Sequence, residues 1–121
     1  MAKKRRTALS RTSKAVTAER AARLYRLLKI LEAGPQTRGA LTRRLGLDVR
    51  GFYRDLEVLR GSGIDLAMNR RRYAVKGDVA AAITRLPFPD PHLTLGEAIQ
   101  LAKGRGRVHR SLRQQIGGII S

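Results

Sequence analysis

The sequence predicts a mainly α fold with a small β-hairpin: three helices and a two-stranded hairpin over residues 17–76, followed by short C-terminal helices. Three observations lead there. Leu24, Leu27, Leu28 and Leu31 recur at the i, i+3, i+4, i+7 spacing that lines one face of a helix. Two more short stretches with buried-face periodicity are cut off by Gly46 and by Gly61-Ser62-Gly63. Beyond them Ile64, Leu66 and Met68 alternate at strand period, as do Tyr73 and Val75. The chain has 121 residues, enough for one core with extensions. Hydrophobic residues make up 42%, aromatics only 4%, and Trp is absent. That core must therefore be built from Leu, Ile, Val and Ala, which suits packed helices better than a β-sandwich.

The elements follow in order. Residues 1–16 hold six basic and no acidic residues without helical periodicity, and read as a basic disordered arm. Such an arm either lies along phosphates or a minor groove, or is a solvated tail. Thr17 is placed to cap a first helix over about 17–33, with Glu19 in its first turn and Gly34-Pro35 ending it. A second helix fits Arg38 to Leu45, with Thr37 as N-cap, Ala40, Leu41 and Leu45 facing inward, and Gly46 just past its end. Leu47 can plug the turn. Asp48 can cap a third helix to about Arg60, in which Val49, Phe52, Leu56 and Leu59 are expected on the core side and Arg50, Arg54 and Glu57 outside. The hairpin then crosses at Asn69-Arg70-Arg71.

Residues 77–92 read as a linker, with a short helix near Val79 and an extended Leu86-Pro-Phe-Pro-Asp-Pro91 segment. Residues 93–121 read as a short helical tail. Thr94 and Glu97 form a capping box for a helix to about Lys103, and Arg110 to Ile116 forms a last helix, amphipathic through Leu112 and Ile116. The tail is apolar enough to need a partner, either the preceding domain or a second copy, and a homodimer through the tail is expected.

The formal net charge is +17, from 26 Lys and Arg against 9 Asp and Glu. Residues 17–76 alone hold fourteen basic against six acidic residues, so the field belongs to the folded part as well as to the arm. Its sign draws in polyanions. The absence of Cys excludes disulfides and thiolate metal sites. His92 and His109 stand apart from any acidic cluster, so neither a metal, a cofactor nor a catalytic role is expected. No run approaches the ~18 apolar residues of a membrane span, and a cytoplasmic, nucleoid-associated protein is expected.

Two short helices joined by a tight Gly-containing turn, the second with a polar outer face, form a helix-turn-helix. The stretch Arg23-Leu-Tyr-Arg-Leu-Leu-Lys-Ile-Leu-Glu-Ala-Gly-Pro-Gln-Thr37, then Leu41 to Leu45, then Phe52-Tyr-Arg-Asp-Leu-Glu-Val-Leu-Arg60 and Gly63-Ile64 resembles the winged helix-turn-helix of DeoR-like and WYL-domain bacterial transcription regulators. Tyr53-Arg54-Asp55-Leu56, with Leu59 and Gly63-Ile64, is the most specific part, and the likeness covers residues 20–76. Leu93-Thr-Leu-Gly-Glu-Ala-Ile-Gln-Leu101 resembles, more faintly, the linker helix before the sensor domain of WYL-type regulators. The chain stops at Ser121 and is expected to lack that sensor domain.

The resemblance implies double-stranded DNA as partner, helix 49–60 in a major groove and the hairpin as a basic wing. Arg50 and Arg54 are then candidates for bidentate pairing with guanine O6 and N7, or else solvated helical charges. For Arg54 a structural pairing with Asp inside the motif competes. Gly51 suits close approach to DNA or is tolerated near a helix end. The Tyr53 hydroxyl can donate to a phosphate, or its ring can tuck against the core edge. Thr37 and Arg38 open the second helix, where free N–H groups suit a phosphate, though Thr37 also serves as a cap. Arg43 and Arg44 either add phosphate contacts or form that helix's solvated face. Asn69, Arg70, Arg71 and Arg72 form the wing tip and are expected to set affinity more than sequence choice. The function expected is that of a sequence-specific transcriptional regulator. The alternatives are a basic protein that binds DNA or RNA without sequence preference, and a protein-interaction module.

Overall fold

The computed structural model of the chain describes residues 16–89, 93–104 and 107–120. The basic arm, apart from Val16, and both histidines lie outside the described residues or their described side chains. The architecture is mainly helical with a small antiparallel sheet. In chain order it runs α1 (Ala18–Ala33), β1 (Gln36–Thr37), α2 (Arg38–Leu45), α3 (Val49–Gly61), β2 (Leu66–Asn69), β3 (Arg72–Val75), α4 (Val79–Thr84), α5 (Leu95–Ala102) and α6 (Arg107–Ile120).

The first helix organises the rest. Ala21, Leu24, Leu27, Leu28 and Leu31 are all buried, and α1 packs against α2, β3, α4 and α6. Thr17 caps it as the sequence predicts, its side chain accepting from the Arg20 N–H at 3.0 Å. The sheet has three strands in the order β1-β3-β2, all antiparallel, where the sequence predicts two. The extra strand is only two residues long, Gln36 opposite Tyr73 and Thr37 opposite Arg72. Two residues carry no readable periodicity; the strand forms because the chain leaving α1 passes the open edge of β3.

The segment after β3 joins the same buried cluster, which runs from Ala21 to Ile119. Leu86 and Phe88 are buried among the prolines of the segment expected to be a linker. Backbone bonds from the Phe88 N–H to the Leu93 carbonyl and from the Leu95 N–H to the Leu86 carbonyl fold this segment back on itself. The Thr94–Glu97 capping box is present at the start of α5. The last helix is longer than the periodicity suggests, running through Gly117-Gly118 to Ile120. It does so because Ile116 and Ile119 are both buried, with α6 packed on α1 and α5. Arg113 fastens it further, donating to the carbonyls of Ala102 and Gly104 at 2.7 and 3.1 Å. Of the two ways to cover the tail's apolar face, the structure shows the intramolecular one. No helix among the described residues is long and apolar enough to cross a membrane.

Candidate nucleic-acid interface

The turn between α2 and α3 is fixed from both sides. Thr37 caps α2 by accepting from the Ala40 N–H at 3.1 Å. At its other end Gly46 adopts φ 67° and ψ 39°, a left-handed conformation that Gly enters without steric cost. There the Leu47 N–H bonds the Thr42 carbonyl and the Gly46 N–H bonds that of Arg43, the paired closure of a Schellman motif. Asp48 then caps α3, accepting from the Gly51 N–H at 2.7 Å. A Cβ on Gly51 would stand 3.0 Å from the Asp48 carboxylate and 3.2 Å from the Leu47 side chain. The bare glycine thus lets the cap and the turn plug close over the helix start, a local reason that the sequence leaves open.

The inner face of α3 differs from the expected one. Phe52 and Leu59 are buried, Leu56 is half-buried, and Val49 is 47% exposed. The fully buried residue beside Phe52 and Leu59 is Asp55. Its carboxylate accepts from Arg20 Nε at 3.0 Å and from Arg23 Nε at 2.7 Å, with Arg23 Nη2 adding a third bond at 3.0 Å. A buried carboxylate is tolerable only when so paired. The hydrogen bonds to Asp55 raise the Arg23 pKa above its ordinary value. This cluster bolts α3 to α1, and Arg54 takes no part in it. Its arginines come from α1, leaving Arg54 on the surface.

The outer face carries Val49, Arg50, Tyr53, Arg54 and Glu57 around one shallow depression, as their i, i+3, i+4 and i+7 spacing requires. Glu57 is ion-paired with Arg60. Tyr53 is the junction of three segments. Its hydroxyl accepts from Arg38 Nη1 at 2.9 Å, while the Arg38 guanidinium lies 6.0 Å from the ring centroid. At that distance the hydrogen bond is the stronger tie. The ring meets Phe52 edge to face at 5.6 Å, and Tyr53 lines a second depression together with Tyr73. The two roles expected of this side chain, polar tip outward and ring on the core edge, are thus compatible in one conformation. Arg38 lowers the Tyr53 pKa by its hydrogen bond, whereas burial raises that of Tyr73.

The hairpin places its arginines beside this junction. Arg72 pairs with Thr37 on one side and Asn69 on the other, so the start of α2 and the wing tip are neighbours. The connecting residues Arg70 and Arg71 have φ of 54° and 67°. Positive φ at both central positions marks a type I′ turn, which ordinarily takes Asn-Gly. Arg38, Arg43, Arg44, Arg50, Arg54, Arg70, Arg71 and Arg72 are all exposed. Among the described residues none of the eight is paired with a carboxylate. Thr37 and Asn69 are exposed as well, and Gly51 is half-buried.

The arrangement offers guanidinium groups and helix-start N–H donors to an anion, and no cluster of metal-ligating side chains occurs among the described residues. Comparison with protein-family models, curated proteins and solved structures finds no match to the chain.

Proposed function

We propose that this chain is a sequence-specific double-stranded DNA-binding protein acting as a transcriptional regulator, a winged helix-turn-helix with α3 in the major groove. The observation that carries the reading is the outer face of α3. It presents Arg50, Tyr53 and Arg54 together, free of carboxylate partners among the described residues, with Glu57 at the far end paired to Arg60 and Arg38 tied to its centre. Thirteen residues at 1.5 Å each make a rod about 20 Å long and ~10–12 Å across, which fits a groove ~12 Å wide. Arg50 and Arg54 read base edges, Thr37, Arg38 and Tyr53 hold a phosphate beside them, and Arg43 and Arg44 add backbone contacts. Asn69 to Arg72 clamp the flank, and the basic arm extends that hold. The resemblance of residues 20–76 to DeoR-like and WYL-type regulators supports the same assignment. It implies a cytoplasmic protein held on the nucleoid, a binder and not an enzyme. A homodimer would have to form outside the seam that Ile116 and Ile119 already fill.

The net charge of +17 favours a second reading, in which charge alone binds DNA or RNA. Selection from a random duplex library at physiological salt separates the two, because only base reading gives a large specificity ratio. A motif of several base pairs, blurred by Arg50→Ala with Arg54→Ala while weak binding persists, is the expected result. Equal, motif-free binding by both proteins would leave only the charge-driven reading.

A further inference from the structure

Among the described residues, the large apolar side chains left well exposed are Val49, Tyr53, Met68, Leu101 and Ile120. Single exposed apolar residues are ordinary on a protein surface. Three of these five, however, belong to α3 and the wing. Met68 pairs with Tyr73 across the hairpin, and Tyr73 lines a depression together with Tyr53. Val49 is one helical turn before Tyr53 and lines the same depression as Arg50 and Arg54. The side that carries Arg50, Arg54 and the hairpin arginines is thus also where apolar groups are left uncovered, which phosphate binding does not require.

Val49 is the first residue of α3, immediately after the Asp48 cap whose bond to the Gly51 N–H fixes the direction of the helix start. A branched apolar side chain held rigidly at the leading end of a groove-entering helix matches one base feature. In the major groove the thymine 5-methyl is the apolar group, whereas adenine, guanine and cytosine present donors and acceptors there. Uracil lacks that methyl, so the same contact separates DNA from RNA.

We infer that Val49 is a specificity-determining residue that packs on a thymine 5-methyl group beside the bases read by Arg50 and Arg54; this rests on the DNA-binding reading above. One methyl moved from water into an apolar contact changes affinity about fourfold.

The test uses the full chain and the duplex selected from the random library, with each thymine of the motif replaced in turn by deoxyuridine. The intact protein should lose about fourfold in affinity at one position. Val49→Ala should bind thymine and deoxyuridine alike there and keep its sensitivity elsewhere. Half exposed and replaced by the better helix former, this position leaves the fold intact, which a melting curve confirms independently. If a motif exists but no deoxyuridine weakens binding, or if Val49→Ala loses as much as the intact protein does, the inference fails while the DNA-reading function stands. If no motif exists, both fall together.

Discussion

Replacing Arg70 with Asn and Arg71 with Gly should make the protein more stable and a weaker DNA binder at once. Both residues sit at positive φ, 54° and 67°, where an L side chain crowds the following carbonyl at a cost of roughly 1–2 kcal/mol each. Asn relieves part of that cost and Gly all of it, against about 0.5–1 kcal/mol for the freedom Gly adds to the unfolded chain. The net gain is about 1–2 kcal/mol, a rise in Tm of roughly 4–8 °C for a chain of this size. The same change removes two guanidiniums from the wing tip. If each neutralises one phosphate, the slope of log Kd against log salt falls by about 1.8, and affinity at 0.15 M salt falls roughly 30-fold. Calorimetric melting and fluorescence anisotropy over a salt series read the two effects separately. Arg70→Lys with Arg71→Lys is the control: it keeps the charge and the strain, so Tm and salt slope should hardly move. An Asn-Gly variant that melts no higher would show that the turn stores no strain. One that binds with an unchanged salt slope would show that the wing never reaches the backbone of the duplex.

Three further outcomes are expected. Asp55→Ala leaves Arg20 and Arg23 without their acceptor; because those side chains keep 30% and 22% exposure, the loss should fall at the low end for a broken buried pair, about 3 kcal/mol, measurable by urea unfolding. Gly117→Ala and Gly118→Ala each add a Cβ that meets nothing within 4 Å, so each should stabilise α6 by about 0.5–1 kcal/mol in thermal melts, whereas Gly51→Ala, crowded by Asp48 and Leu47, should give no such gain. In an ultraviolet titration of the tyrosines, Tyr53 should ionise below the ordinary value and Tyr73 above it. The lowered pKa of Tyr53 contributes stability present above the ordinary tyrosine value and lost as pH falls through the folded one. The raised pKa of Tyr73 contributes stability present below the ordinary value and lost as pH rises through the folded one. Arg38→Ala should move the Tyr53 transition upward; an unchanged transition would mean that the Arg38 bond does not persist in solution.

Local signals carried far in this chain. The caps Thr17, Thr37, Asp48 and Thr94 and the closing Gly46 each act within three or four residues of themselves, so the starts of α1, α2, α3 and α5 were legible to within a residue or so. What failed was whatever depends on a distant segment. A binary pattern sends an acid outward, yet Asp55 turns in because two arginines from a helix more than thirty residues earlier complete it. The same pattern sends Val49 inward, yet it stays out because Asp55, and no apolar residue, occupies the inner face beside Phe52 and Leu59. The last helix was expected over Arg110 to Ile116, but with Ile116 and Ile119 both buried it spans Arg107–Ile120.

The candidate site divides along the same line. The eight arginines singled out on α2, α3 and the hairpin are on the surface, and exposure is what charge alone would have predicted. Their convergence is a separate matter, resting on Tyr53, which is bonded to α2 through Arg38 and lies beside Tyr73 of β3, and on β1, which sets Thr37 against Arg72. Directional hydrogen bonds at Tyr53 and at Asp55 fix α3 against the start of α2 on one side and against α1 on the other, where the contacts of Phe52 and Leu59 alone would tolerate sliding. Such alignment matters little to a surface that merely attracts phosphates, and much to one that must place two guanidiniums on particular base edges. The investment of a buried carboxylate in holding α3 is therefore itself an argument for reading over mere attraction.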